Sequence, residues 1–322
     1  MTSPATAPHD HAVSFYDLDT EVVAEVAGYV AEGLAQGERV VVIATAGHRD
    51  AIDEVLLQHG IDTVGARMLG RYLTLDAAET LARFMVAGSP DPVGFEAVIG
   101  QVIDAAGNGG CGVRAFGEMV ALLWNEGNVA AALRLEALWN DLEGDRKFLL
   151  LCAYAHDAVQ RATLEDVHQV CSLHTQVAAP RSYFAADHVS EPVAPPRVSD
   201  VFLPVMAAVP AVRRFATDAL RAWGLDELVA DGSIVATELA TNALSHSASP
   251  FRASMTRSDS TVRIAIEDVS PSVPQLVHAA SDALGGRGIA IVAELATTWG
   301  CSETASGKLV WADLSLPLPR EP

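Results

Sequence analysis

Val235-Ala-Thr-Glu-Leu-Ala-Thr-Asn-Ala-Leu-Ser-His246 reads as a single amphipathic helix with a chemically pointed polar side. Glu238 and Asn242 stand four residues apart, so both project from one face. At about 100° per residue, Asp231, Glu238, Asn242 and Ser245 fall into one polar stripe. Leu228, Val235, Ala236, Leu239 and Ala243 form an apolar arc beside it. Such a helix packs on a sheet while holding a carboxylate and an amide at the edge of a cavity. Glu and Asn at this spacing also occur on ordinary solvated faces, so the pair gains meaning only from its neighbours in the chain.

Two neighbours supply it. Thr261-Val-Arg-Ile-Ala-Ile-Glu-Asp-Val269 alternates like a strand and delivers Asp268 near its end. Gly285-Gly-Arg-Gly288 then opens an apolar helical run, Ile289 to Ala296. Glycines before a helix let backbone amides approach phosphate, and the positive end of the helix dipole favours the anion. Helix with E-x-x-x-N, strand with Asp, glycine loop with helix: in that order the set resembles the nucleotide-binding fold of gyrase, histidine kinases, heat-shock chaperones and mismatch-repair ATPases. Its short compass is most similar to the anti-sigma-factor serine kinases of that group.

The resemblance implies roles for individual residues. Asn242 would ligate Mg²⁺ between the phosphates of ATP, and Glu238 would be the general base toward a protein hydroxyl or water. Asp268 would accept a hydrogen bond from the adenine amino group, and Gly286 and Gly288 would form the phosphate-facing end of a lid. Arg287, inside that loop, has a reason to contact a β- or γ-phosphate. The wider family has glycines after its aspartate, whereas this chain reads Asp268-Val-Ser-Pro-Ser272.

Composition sets the outer bounds. The chain has 322 residues, enough for two domains of roughly 150. Half of it is hydrophobic, and its formal net charge is −20, which argues against direct contact with DNA or RNA. Lys147 and Lys308 are the only lysines, a habit of GC-rich coding rather than a functional sign. No apolar run approaches the ~18 residues of a membrane span. Met1 to Asp10 has neither a basic start nor an apolar core, so the expectation is no signal peptide and a cytoplasmic protein whose four cysteines are reduced.

From His11 the chain alternates strand and helix. Ala12–Tyr16, Arg39–Ala44, Gly112–Phe116 and Lys147–Tyr154 read as strands; Asp19 is placed to cap a helix to about Gln36, and Asn128–Leu142 is amphipathic. This predicts an α/β domain with a largely parallel sheet. Its stretches His11, Glu32-Gly-Leu-Ala-Gln-Gly-Glu38, Phe116-Gly-Glu-Met119, Leu135-Glu-Ala-Leu-Trp139 and Leu151-Cys-Ala-Tyr154 resemble the MEDS sensory domain, a degenerate relative of RecA-like ATPases. No G-x-x-x-x-G-K-[ST] is present; Thr45-Ala-Gly-His48, where such a loop would sit, lacks the lysine. The predicted architecture is a tail (1–10), a RecA-like three-layer α/β sensory domain (11–178), a proline-rich linker (179–199) and a two-layer α+β sandwich of the GHKL ATPase type (200–318).

Candidate sensory residues follow from chemistry. Cys152, His156, Cys171 and His174 have the spacing C-x₃-H and C-x₂-H, a ligand set suited to Zn²⁺ or a redox metal. Cys152 also lies in an apolar strand, where a free cysteine packs as a small core residue. Glu118 and Tyr154 follow strand ends, where open α/β sheets bind ligands, and His11 is placed to point into the same crevice. Glu118 has the alternative of holding a loop amide or Arg114, and Trp124, Trp139, Trp299 and Trp311 are expected in the core.

The expected function is a signal-responsive regulator. Its second domain would bind Mg·ATP and phosphorylate a serine or threonine of a STAS-type anti-sigma-factor antagonist, so controlling a sigma factor. The rival is a non-catalytic module that holds ATP and sequesters the sigma factor. A histidine-kinase output is disfavoured, because the proline-rich linker leaves no dimerising hairpin with a phosphoacceptor histidine. Expected partners are those proteins, a small-molecule or redox signal, and a second copy of the chain.

Overall fold

Arg39-Val-Val-Val-Ile-Ala44 offers water almost nothing, and it forms a strand buried on both faces, as inner strands of parallel sheets are. The computed structural model describes residues 11–108, 110–184, 196–270 and 288–316. The chain divides into two units, Met1–Arg161 with Gln169–Pro180, and Ala162–His168 with Arg181–Pro322.

The first unit carries strands β1 (His11–Tyr16), β2 (Arg39–Ala44), β3 (Tyr72–Asp76), β4 (Met85–Val86), β5 (Ser89–Pro90), β6 (Val113–Gly117), β7 (Leu149–Ala155) and β8 (Gln176–Ala178). Between them run α1 (Asp19–Ala35), α2 (Ala46–Gln58), α3 (Thr63–Met68), α4 (Ala77–Ala82), α5 (Pro92–Phe95), α6 (Gln101–Gly107), α7 (Met119–Asn125), α8 (Val129–Asp145), α9 (His156–Gln160) and the end of α10 (Leu164–Ser172), which belongs to this unit from Gln169 on. Six strands form one sheet in the order β3-β2-β6-β7-β1-β8, every pair parallel. Val40, Val42, Ala44, Leu151 and Ala153 face α1 and α2, packing on Val22, Val26, Val30, Ile52 and Leu56. Because side chains alternate along a strand, Cys152 and Tyr154 point to the opposite face, where α8 lies. The predicted three-layer α/β domain is what forms.

Two local expectations change. Asp19 does not cap α1: Leu18 holds the cap position in extended backbone, and the Glu21 carboxylate reaches back to the Asp17 and Leu18 amides at 3.0 and 3.4 Å. Asn128 does cap α8, its Oδ1 accepting from Ala131 N at 3.3 Å, and the helix runs three residues past Leu142 to Asp145.

The second unit is a two-layer sandwich. Its antiparallel sheet has the order β12-β13-β11-β10-β9, with β9 Arg197–Phe202, β10 Phe251–Arg257, β11 Thr261–Asp268, β12 Thr298–Glu303 and β13 Lys308–Ser315. Helices α11 (Ala208–Ala222), α12 (Val229–Ser247) and α13 (Gly288–Leu295) accompany it. At Gly232 the first two come so close that a Cβ would stand 2.5 Å from Leu220 Cδ1. Strand β9 begins at Arg197, inside the stretch predicted as linker, and Arg181–Phe184 forms a 3₁₀ turn; residues 185–195 lie outside the described residues, as does the predicted tail 1–10. The edge strand β12 is an addition to the sequence reading. Its Gly300 is covered by the Trp311 ring, over which the Arg263 guanidinium sits at 4.0 Å. Trp124 and Trp139 are core residues as expected, whereas Trp299 and Trp311 are half-buried.

Removing the α8 cap with Asn128→Ala is expected to cost about 1 kcal/mol. In a thermal melt that is a fall of about 2–4 °C for a unit of this size; an unchanged melt would show that the cap is dispensable.

Candidate functional site

Helix α12 ends where Ala248 turns left-handed, at φ +46°. Along it Val235, Ala236, Leu239, Ala240 and Ala243 are buried, leaving Asp231, Glu238 and Asn242 half-buried and Ser245 exposed. Gly288 begins α13, and a Cβ there would stand 2.6 Å from Glu238 Oε2. The Glu238 carboxylate therefore lies against the first turn of α13, and a side chain there would have to push it aside. Gly286, Arg287 and the rest of residues 271–287 fall outside the described residues.

Asp268 ends β11 in phase with Val262, Ile264 and Ile266, all buried, so its carboxylate is carried to the inner face. Lys308 begins β13 in phase with Val310, Ala312 and Leu314, on that same face, and is the register partner of Asp268. Lys308 Nζ donates to Asp268 Oδ1 at 2.9 Å and to the Ser270 carbonyl at 3.3 Å, with Asp268 and Lys308 each only 1 % exposed. The Ser270 amide donates to the same Oδ1 at 2.8 Å. At Gly307 a Cβ would overlap the backbone of Asp268 and Val269. Neither Lys308 nor Gly307 had a role in the sequence reading. The available signal was a lysine at the head of an alternating apolar strand in a chain with only two lysines.

In the first unit His11, Cys152 and His174 come together around a residue the sequence reading did not single out, Glu136 of α8. His11 Nε2 lies 3.3 Å from Glu136 Oε2 and 3.3 Å from Cys152 Sγ. Cys152 Sγ is 3.4 Å, and His174 Nε2 3.5 Å, from Glu136 Oε2. Tyr154 donates its hydroxyl to Glu136 Oε1 at 2.6 Å. Burial pushes the Glu136 carboxyl up, but the imidazoles of His174 and His11 outweigh it and hold the group well below the usual carboxylate range. Burial pulls His11 down, yet Glu136 prevails and its pKa is raised. The Cys152 thiol is pushed well up, by burial first and then by Glu136. The clue to Glu136 was its place inside the apolar arc of α8, four residues after Ala132 and three before Trp139, both fully buried.

The rest of the predicted sensory set lies elsewhere. Glu118 accepts the Thr45 amide at 2.7 Å and meets His48 Nδ1 at 2.8 Å, so it holds the loop after β2 and does not share a crevice with His11. Arg114 pairs instead with Glu38 and Glu32. Cys171 is buried outside the ligand group, its thiol pushed up to about 12 by burial. His156 faces Asp17 Oδ1 at 3.2 Å. The C-x₃-H/C-x₂-H grouping therefore contributes one residue from each half, Cys152 and His174.

A parallel α/β unit with a buried His/Glu/Cys group, followed by an α+β sandwich with Glu and Asn beside a glycine helix start, defines a sensory domain joined to a nucleotide-binding domain. Residues 10–174 match the family described as MEDS, the MEthanogen/methylotroph, DcmR Sensory domain, and the chain belongs to it. Residues 204–313 match the histidine kinase-like ATPase domain, so the second unit is an ATP-binding module of kinase-like or regulatory type. No curated protein matches the chain. No helix among the described residues is long and apolar enough to cross a membrane.

The side chains fit Mg·ATP: the Asn242 amide oxygen is a hard donor of the kind Mg²⁺ takes, and the Glu238 carboxylate one turn away is left as a base. The bare Gly288 leaves backbone, not a side chain, at the helix start.

Lys308→Met would leave the Asp268 carboxylate buried without its counter-charge. The expected loss is about 3–5 kcal/mol in denaturant unfolding of the second unit, with much of it recovered in Lys308→Met/Asp268→Asn. Equal stability of the single and double variants would show that the pair does not carry this part of the sheet.

Proposed function

We propose that the second unit is a protein serine/threonine kinase whose acceptor is a STAS-type anti-sigma-factor antagonist, so that it controls a sigma factor in response to a small-molecule or redox signal received by the first unit. The observation that supports this reading best is the close approach of Gly288 to Glu238 Oε2 on the helix face that also carries Asn242. That face supplies an acid–base group and a metal-ligating oxygen one helical turn apart. Bound Mg·ATP would supply the phosphoryl group and the charge that neutralises it. Asn242 would hold the metal through its amide oxygen. Glu238 would orient the acceptor hydroxyl and take its proton at Oε2 as the hydroxyl oxygen bonds to the γ-phosphorus and the bond from that phosphorus to ADP breaks, with ADP leaving. The amides at the start of α13 would take the anionic end of the nucleotide.

A second reading, an ATP-dependent sequestering module without turnover, is favoured by the surroundings of Asp268. Its carboxylate is engaged by Lys308, and Val-Ser-Pro stands where the wider family has glycines. Incubation with γ-labelled ATP and antagonist proteins separates the two: label on the acceptor supports the kinase, while ATP-dependent capture of sigma factor without label supports the binding module. Glu238→Gln is expected to keep ATP affinity and lower transfer by about 10²–10⁴-fold, the usual worth of a general base. Asn242→Ala is expected to lose the Mg²⁺ dependence of ATP binding in a calorimetric titration. Transfer at the wild-type rate in Glu238→Gln would remove Glu238 as the base.

A further inference from the structure

The four side chains gathered around Glu136 are arranged as ligands. His11 begins β1, Cys152 lies in β7, Glu136 projects from α8 and His174 follows α10. Strand alternation puts His11 and Cys152 on one face: their neighbours Ala12, Leu151 and Ala153 pack toward α1 and α2 on the other. The group is closed to solvent, with the side chains of His11, Glu136 and His174 at 1 %, 0 % and 0 % exposure and Cys152 at 0 %.

Four of the six separations between ligand atoms match the edges of a coordination tetrahedron. A Zn²⁺ ion with nitrogen and oxygen ligands at about 2.0–2.2 Å and sulfur at about 2.3 Å holds its ligand atoms about 3.3–3.6 Å apart. The distances here are 3.3 Å for His11 Nε2 to Glu136 Oε2, 3.3 Å for His11 Nε2 to Cys152 Sγ, 3.4 Å for Cys152 Sγ to Glu136 Oε2 and 3.5 Å for His174 Nε2 to Glu136 Oε2. All four ligand atoms lie within 4.8 Å of one another.

Hydrogen bonding behind the rings fixes which nitrogen faces inward. His174 Nδ1 lies 2.7 Å from the Val170 carbonyl, which only accepts, so Nδ1 carries the proton and Nε2 presents its lone pair. Asn140 donates its Nδ2 to the Leu173 carbonyl at 2.9 Å, which turns its Oδ1 to His11 Nδ1 at 2.7 Å. His11 Nδ1 is then the donor, and its Nε2 also points a lone pair inward. Such backing by a carbonyl or an amide oxygen is the outer shell that orients metal-bound histidines. Tyr154 does the same for the carboxylate, occupying Oε1 and leaving Oε2 to the centre.

Without a cation this assembly is poorly satisfied. Two ring nitrogens converge on one carboxylate oxygen, and among the described residues His174 Nε2 has no hydrogen-bond partner although it is buried. Two neutral imidazoles, a carboxylate and a thiolate carry a total charge of −2, which one divalent cation cancels in a site water cannot reach. We propose that His11, Glu136, Cys152 and His174 form a closed, four-coordinate Zn²⁺ site in the first unit. The donor set of one thiolate, two imidazoles and one carboxylate in tetrahedral array selects zinc over the hard cations Mg²⁺ and Ca²⁺. Four protein ligands leave no coordination position for water, so the ion ties the start of β1 to residues more than a hundred positions later.

Cobalt tests this in the full-length protein. After chelation and dialysis, Co²⁺ is titrated in, then displaced by Zn²⁺. The expected result is one equivalent bound with the intense visible bands of a tetrahedral ion and a thiolate-to-cobalt charge-transfer band. Cys152→Ser should lose the charge-transfer band while its far-ultraviolet circular dichroism stays that of the wild type. Cys111→Ser, Cys171→Ser and Cys301→Ser should each keep the band. Asn140→Ala, which touches only the outer shell, should weaken Co²⁺ binding by about 10–100-fold. A folded wild type that shows no such band, or a band that survives Cys152→Ser, would overturn the site and leave a buried His11–Glu136 ion pair beside a neutral thiol.

Discussion

A carboxylate with no access to water must be answered by the protein itself, and Glu136 sets that demand at the centre of the first unit. The response recruits three separate parts of the unit: Tyr154 and Cys152 from β7, His11 from β1, and the turn after α10 with His174. Hydrophobic packing alone would have held α8 on the sheet through Leu135, Leu138, Trp139 and Leu142. The polar group adds direction, since each partner satisfies Glu136 only at one register of strand and helix. Replacing one of them with an apolar residue would remove an answer without removing the demand.

The second unit repeats the problem with different chemistry. Asp268 is carried inward by the alternation that buries Val262, Ile264 and Ile266, and Lys308 meets it from the adjacent strand. A lysine ammonium on a flexible stem brings a full charge with three donors, two of which are used on Asp268 and the Ser270 carbonyl. Gly307 allows the two strand ends to close to that distance, because no Cβ fits against the backbone of Asp268 and Val269. The region read from sequence as the place of a nucleobase is thus built on a buried ion pair.

What the sequence disclosed followed from periodicity. Strand alternation gave Asp268 its place, and helical spacing put Glu238 and Asn242 on one face. The C-terminal architecture followed from the order of those elements, and Gly288 fell where the glycine loop meets its helix. What it concealed were partners brought together only by folding. Glu136 sits in a leucine-rich helical run where a single acid looks like an outward-facing residue, and its burial depends on how α8 is rotated against the sheet. Cys171 and His156 shared a motif with Cys152 and His174 by spacing alone, yet a ligand set is decided by which faces meet. Glu118 follows a strand end as a ligand-binding residue would, and its work is to hold the Thr45 amide. Lys308 was noticed only for its rarity.

The strand order has a consequence for how the chain is made. β1 lies between β7 and β8, so the first strand synthesised is flanked by two of the last in its unit. Its hydrogen-bonding edges have no native partner until residues 149–155 and 176–178 have left the ribosome. At roughly 5–20 residues per second, that interval is on the order of ten seconds or more. Throughout it Val13, Phe15 and Tyr16 belong to a nascent segment without its neighbours, the circumstance in which unpaired strand edges invite aggregation. The α1 and β2 segments that emerge next can collapse on each other early. The β7-β1-β8 side of the sheet, with both His11 and Cys152, is among the last parts of the unit to close.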